Sequence, residues 1–185
     1  RQALGLNTTG VQNTAVGAHA VDANTTASNI TGVGMNALSS NTTGESNNGF
    51  GSHALQTNTT GTRNNAFGVS ALQLNTTGND NTAVGQLALQ ANTTGYSNVA
   101  IGSLALQNGA TGHTNVAIGH NAGSAINTGF RNTMINTTAP VTHGDYNIVI
   151  GYNAGEAASP SGQVNNGNGT ICLGDNNITG LFCAD

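Results

Sequence analysis

The most constraining feature of this sequence is a 17-residue repeat that runs seven times without insertion or deletion. Each unit begins with an alanine: Ala3, Ala20, Ala37, Ala54, Ala71, Ala88 and Ala105. The unit has the consensus A-L-x-x-N-T-T-G-x-x-N-T-A-V-G-x-x. We number its positions 1 to 17 from the alanine, and the coils from coil 1 (3–19) to coil 7 (105–121). A short, fixed period predicts that each unit stacks on the one before, as in a solenoid.

The composition narrows the classes of function. The chain has 185 residues, of which 5% are charged, with three arginines, no lysine and a net charge of −4. Without a basic patch we expect no nucleic-acid partner, and the apolar runs are too short for membrane insertion. The first residue is Arg1, two residues before a repeat begins, and we expect a processed or trimmed segment of a longer protein.

The repeat length favours an all-β fold. Seventeen residues are too few for a helical repeat, which needs about 33 or more, but they suit one coil of a parallel β-solenoid with two short strands and two turns. Glycine in N-T-T-G and in V-G-x-x is expected at positive φ. Residues 1–121 are predicted to form regular coils, and residues 122–185 an irregular continuation with loops and a C-terminal cap.

Columns of equivalent residues predict the interior. We expect the large apolar column at position 14 to face inward, together with position 12, and the leucines at position 2 to lie on a second strand. Position 13 is always small, which indicates close approach of another backbone. The column at position 14 consists of Val16, Val33, Phe50, Phe67, Val84, Ile101 and Ile118.

Asparagine recurs in two columns that we expect to form hydrogen-bonded ladders. The first ladder comprises Asn7, Asn24, Asn41, Asn58, Asn75 and Asn92, and the second Asn13, Asn47, Asn64, Asn81, Asn98 and Asn115. The first column also falls within N-x-T sequons, for which glycosylation is the alternative interpretation. We favour the ladder, because a sugar on every coil would crowd its neighbours.

Each coil offers few large apolar side chains, so a lone coil stack is expected to be marginal. We therefore expect a homo-oligomer.

In the C-terminal part, Cys172 and Cys183 form a disulfide or are two unpaired thiols. The loops there belong either to a cap or to a recognition end.

Three segments of the repeat resemble the head repeats of trimeric autotransporter adhesins. They are Asn13-Thr14-Ala15-Val16-Gly17, Asn98-Val99-Ala100-Ile101-Gly102 and Asn115-Val116-Ala117-Ile118-Gly119. The full 17-residue unit also resembles repeats of phage tail fibres and related surface fibres. The resemblance implies a left-handed parallel β-roll, three chains side by side, and attachment at a cell surface.

The variable pair at positions 9 and 10 is the candidate surface for a receptor or glycan, through Arg63, Asp80, Tyr96 and His113, with solvated turn tips as the alternative.

His19 and His53 share a column but lie two coils apart, too far for one metal ion within a chain. The carboxylates are scattered, and a phosphate loop lacks its lysine. We expect no catalytic site, no cofactor and no metal site.

These observations favour an extracellular structural and adhesive fibre segment, from a phage tail fibre or a microbial surface adhesin. Its partners would be further copies of itself and a cell-surface receptor or glycan. One alternative is a self-assembling extracellular filament that grows end to end. A minor alternative is an ice-binding solenoid, suggested by the recurring Thr-Thr pair, and an enzyme is the least favoured hypothesis.

Overall fold

In the part of the chain that the structure describes, ten strands of three residues each stack in chain order into one parallel sheet. The computed structural model describes residues 2–138, 143–155 and 167–174. The strands are Thr14–Val16 (β1), Thr31–Val33 (β2), Asn48–Phe50 (β3), Asn65–Phe67 (β4), Thr82–Val84 (β5), Val99–Ile101 (β6), Val116–Ile118 (β7), Thr133–Ile135 (β8), Ile148–Ile150 (β9) and Ile171–Leu173 (β10). The prediction of an all-β, parallel β-solenoid with 17-residue coils is confirmed.

Equivalent residues of successive coils are paired in register. Val84 pairs with Ile101, and Ala83 with Ala100, so that each repeat column becomes a line of side chains along the stack. Parallel strands pack about 4.8 Å apart, which sets the rise from coil to coil. Coil-to-coil hydrogen bonds also continue outside the strands, as in the bond of 2.9 Å that Leu38 N donates to Ala54 O.

The expectation for the interior was wrong at positions 12 and 14. Val84, Ile101 and their equivalents point outward, whereas the small residue between the two outward positions is buried in strands β2 to β7. The interior is narrow, because the position 2 side chain fills it: a Cβ built on Gly49 would lie 3.4 Å from Leu38 Cγ and 3.3 Å from Ala54 O. Position 13 must therefore be small in these coils, and the larger residues at positions 12 and 14 go outside.

The expected second strand is also absent from the described coils. Position 2 instead takes a left-handed conformation, with φ of 53° at Leu38 and 51° at Leu55. This conformation turns the backbone and directs the leucine side chain into the core. Positions 10 and 17 have positive φ as well, as at Thr114 (57°) and Leu104 (63°), so three non-glycine corners close each regular coil.

The two glycine positions have different roles. Glycine at position 15 has positive φ as expected, for example 132° at Gly85. Glycine at position 8 does not, and is required by close approach instead: a Cβ on Gly61 would lie 2.4 Å from Gly78 O and 2.5 Å from Asn58 Oδ1.

Coil 8 (122–136) changes three core positions together. Gly123 replaces the leucine of position 2, Ile126 replaces the asparagine of position 5, and Met134 replaces the alanine of position 13, and all three are buried. A Cβ on Gly123 would lie 3.3 Å from both Ile126 Cδ1 and Met134 Cγ. The loss of one large side chain therefore accompanies the gain of others, which keeps the interior filled.

Candidate functional site

Both asparagine columns lie inside the coil. In the first, Asn58, Asn75 and Asn92 each donate from Nδ2 to Oδ1 of the asparagine one coil earlier, each over 2.7 Å, and Asn24 donates to Asn7 over 2.6 Å. From Asn24 to Asn92 these side chains are fully buried. Their amide nitrogens are thus committed within the fold, which favours the ladder interpretation over glycosylation at these sequons.

The second ladder bonds both side chain and backbone. Asn81 receives hydrogen bonds at Oδ1 from N and Nδ2 of Asn98, over 3.0 and 3.1 Å, and donates from Nδ2 to Gly95 O over 2.8 Å. The column continues past Asn115 through Asn132 and Asn147 to the backbone N of Thr170. A further ladder, which was not predicted from the sequence, is formed by Gln56, Gln73, Gln90 and Gln107.

The turn edge, formed by positions 9 and 10 of successive coils, carries the most varied side chains, including charged and aromatic ones. Arg63 and Asp80 occupy position 10 of coils 4 and 5 and form a bidentate ion pair: Nε donates to Oδ1 over 2.6 Å and Nη2 to Oδ2 over 2.9 Å. The hydrogen bond from Arg63, with its nearby positive charge, holds the pKa of Asp80 below its ordinary value of 3.8. These two candidate contact residues therefore satisfy each other.

Tyr96 and His113, the other two candidates, occupy position 9 of coils 6 and 7. Their rings stack with centroids 4.6 Å apart and an interplanar angle of 5°. Phe130 continues the stack on the other face of His113, at 4.9 Å and 10°. Tyr146 then meets Phe130 at 5.4 Å in an edge arrangement. The aromatic edge, Tyr96–His113–Phe130–Tyr146, thus extends over four successive coils.

Arg131 completes this edge at position 10 of coil 8. Its guanidinium carbon lies 5.7 Å from the centroid of Phe130 and 5.3 Å from that of Tyr146, within reach of cation–π attraction. Its Nη1 donates to the hydroxyl of Tyr146. The repeat pattern did not single out Phe130, Arg131 or Tyr146, although Phe130 and Arg131 lie one period after His113 and Thr114.

A second exposed surface is the outer face of the sheet, here called the strand face. It consists of positions 12 and 14 in all ten strands and carries no charged residue in the described coils. Its exposed members include Phe50 and Phe67, which stack at 4.9 Å, and next to them Asn48 donates to Asn65 over 2.9 Å. With about 4.8 Å per strand, the face is roughly 43 Å long.

The remaining predicted residues lie apart from these surfaces. The Nδ1 of His19 lies 3.2 Å from Asp22 Oδ2, and that of His53 lies 3.2 Å from Gln56 Oε1. Among the described residues no group of three or more His, Cys, Asp or Glu could hold a metal ion. Cys172 is buried on β10, whereas Cys183 lies outside the described residues, so the disulfide stays a prediction.

The two threonines of each N-T-T-G turn differ. From coil 2 to coil 6 the first is half-buried and its hydroxyl donates to a backbone carbonyl of the next coil, as Thr59 does to Thr76 O over 3.1 Å. The second is exposed, as at Thr77 and Thr94. Of each Thr-Thr pair in these coils, only the second threonine therefore faces fully outward, which weakens the basis of the ice-binding hypothesis.

Comparison with protein-family models, with curated proteins and with solved structures found no match. In the part of the chain that the structure describes, no helix is long and apolar enough to cross a membrane.

Proposed function

We propose that this chain is a structural and adhesive fibre segment that works outside the cell, as part of a virion tail fibre or a microbial surface fibre. In this proposal the chain is not an enzyme. Copies associate side by side through the strand face, and the turn edge is left free to contact a surface receptor or glycan. The trimeric arrangement is taken from the resemblance of the repeats to adhesin heads and tail fibres.

The observation that carries the proposal is the character of the strand face. Residues on the solvent-exposed face of a β-sheet are usually polar, but here position 14 is valine, isoleucine, leucine or phenylalanine in all ten strands. Exposed apolar strips of this continuity mark interaction sites on soluble proteins. A strip about 43 Å long and 10 Å wide covers roughly 400 Å², about half of what one partner buries in a standard interface. Flanking turns therefore have to contribute.

A second copy of this chain fits the strand face better than a charged partner does. The strand face offers apolar side chains at position 14 and threonine, asparagine, valine or isoleucine at position 12, and a second copy presents the same pattern with the same coil spacing. Side chains of equal spacing on two rods can interdigitate along their whole length. The coil interior is thin, and burial of position 14 would supply the apolar area that the single chain lacks.

The test is the mass of the chain in solution. We expect light scattering to give three times the chain mass of 18.4 kDa, and expect V84D together with I101D on the strand face to give a monomer. The matched control, T77D with T94D, adds the same charges on the exposed threonine file and should leave the mass unchanged. A monomeric parent chain, or equal loss in both double variants, would overturn the proposal. Electron micrographs with long threads would favour the end-to-end filament instead.

A further inference from the structure

Arg131 differs from Arg63, although both stand at position 10 of their coils. The Arg63 guanidinium is bound on its Nε–Nη2 side by both oxygens of Asp80. Arg131 is followed, at the same position of the next coil, by Tyr146 rather than by a carboxylate. It uses Nη1 on the Tyr146 hydroxyl, and its Nε and Nη2 make no hydrogen bond to the described residues.

The aromatic edge holds this guanidinium in place. Phe130 and Tyr146 both lie within cation–π distance, and Phe130 is itself fixed by His113 on one face and by the bond of its backbone N to Asp145 Oδ1, over 2.9 Å. An arginine that is already ordered loses less side-chain entropy when it binds a ligand. The stack thus acts as a support, because the faces of its central rings are covered by one another and offer no platform for a sugar ring.

The occupant of the equivalent site in coil 4 identifies the chemistry. Asp80 shows that a carboxylate placed one coil above such an arginine meets the Nε–Nη2 fork with two hydrogen bonds. Planar guanidinium and carboxylate groups are complementary in this bidentate way. Arg131 has no carboxylate partner within ion-pair distance in the described residues, and the nearest acidic residue along the chain, Asp145, directs Oδ1 to a backbone N.

We propose that Arg131 and the aromatic edge bind the carboxylate of an acidic saccharide. The choice of a saccharide rests on the proposed function of surface attachment. It is supported by the hydroxyls of Ser97, Thr114 and Tyr146 at position 10, which can pair with sugar hydroxyls. The carboxylate is held by Nε and Nη2 of Arg131, while the Tyr146 hydroxyl bonds Nη1.

The probe is a hexamer of galacturonic acid, with its fully methyl-esterified, uncharged form as the control ligand. Nuclear magnetic resonance titration of the chain should show binding of the acid near Arg131 and none of the ester. We expect R131Q to weaken binding about tenfold or more, and R131K, which keeps the charge but loses the fork, to weaken it as well. R63Q is the matched control and should bind as the parent chain does.

A gain-of-function variant makes the test reciprocal. D80A removes both acceptor oxygens from the Arg63 fork and is expected to add a second binding site in coil 4, which R63Q in the same chain should abolish. Polyglutamate serves as a second control ligand, which carries carboxylates without a sugar. The proposal fails if the acid hexamer does not bind, if the ester binds equally well, if R131Q binds normally, or if only polyglutamate binds. These outcomes are independent of the mass in solution, so a trimer that does not bind refutes this inference alone, and a monomer that binds refutes side-by-side association alone.

Discussion

Asn92 donates from Nδ2 to Oδ1 of Asn75 over 2.7 Å, but its own Oδ1 is buried without a hydrogen-bond donor among the described residues. The reason is the residue one period later, Gly109, which stands where the ladder requires an asparagine. Asn24 Oδ1 is buried in the same unsatisfied state. Its cause is Ala27 at position 8: a Cβ at the equivalent Gly44 would lie only 2.8 Å from Asn41 Oδ1. Each defect in the ladder thus follows from one departure from the repeat.

The first prediction repairs the end of the ladder. G109N places an amide where it can donate to Asn92 Oδ1, and the space is nearly sufficient, since a Cβ there would lie 3.2 Å from Leu106 O. A hydrogen bond to a buried, unsatisfied oxygen should raise the free energy of unfolding by about 1 kcal/mol. Chemical denaturation measures this, with G109A as the control that adds Cβ without the donor. Equal stability of G109N and G109A would contradict the explanation.

The second prediction concerns Ala27. Replacement of alanine by glycine usually costs about 0.5–1 kcal/mol in chain entropy. A27G should cost less or nothing, because it lets Asn24 Oδ1 accept from Asn41 Nδ2. A23G, at a half-buried turn position of the same coil, serves as the control and should show the ordinary loss. The melting temperatures of A27G and A23G measure the two losses of stability. The explanation fails if A27G is the less stable of the two variants.

The third prediction tests the narrow interior. A100M should destabilise the chain by about 1–3 kcal/mol, since the site faces Leu89 across a filled core. L89G alone should cost about 2–5 kcal/mol. Together they reproduce the glycine–methionine pair of Gly123 and Met134 in coil 8, so the double variant should lose less than the sum. Additive losses in a double-mutant cycle would show that the two sites do not share space.

The fourth prediction concerns the left-handed corners. Thr114 has φ of 57°, a conformation that costs a β-branched residue about 1 kcal/mol or more, whereas asparagine adopts it readily. T114N should therefore raise the free energy of unfolding by up to about 1 kcal/mol. T111N, at an exposed position without positive φ, should change it by less than about 0.5 kcal/mol. A T114N variant no more stable than T111N would count against backbone strain at position 10.

The fifth prediction is a pH dependence. Because the pKa of Asp80 is lowered in the folded state, its pairing with Arg63 stabilises the fold above the ordinary value of 3.8 and is lost as the pH falls through the lower, folded pKa. Both side chains are exposed, so the effect on stability is small. Carboxyl ¹³C titration should show the Asp80 pKa rising toward 3.8 in R63Q. An unchanged pKa in that variant would exclude the ion pair as its cause.

The sequence predicted the register of the fold well, because an unbroken period leaves only one way to align successive coils. It did not predict which strand face is buried. Alternation in Thr82-Ala83-Val84 is compatible with either face inward, and hydrophobicity favours the valine. The decisive fact is the left-handed backbone at Leu72 and its equivalents, which brings leucine into the core, and nothing in leucine itself signals that conformation.

The candidate site was predicted in part for a related reason. Tyr96 and His113 lie in the regular coils and were found through their variability. Tyr146 was missed because two residues are absent between Arg131 and it, so it falls off the period of 17 while remaining on the same edge. Arg63 and Asp80 were recognised as exposed charges, but only three-dimensional pairing shows that they satisfy each other while Arg131 does not.

The uniform register between coils has an evolutionary consequence. Removal of residues 71–87 would bring Asn92 above Asn58 and Val99 above Asn65, contacts of the same kind as those that coil 5 makes now. Gain or loss of a whole unit through unequal genetic exchange should therefore shorten or lengthen the rod by one step without disturbing its neighbours. Selection can then adjust the reach of such a molecule independently of the residues on its edges.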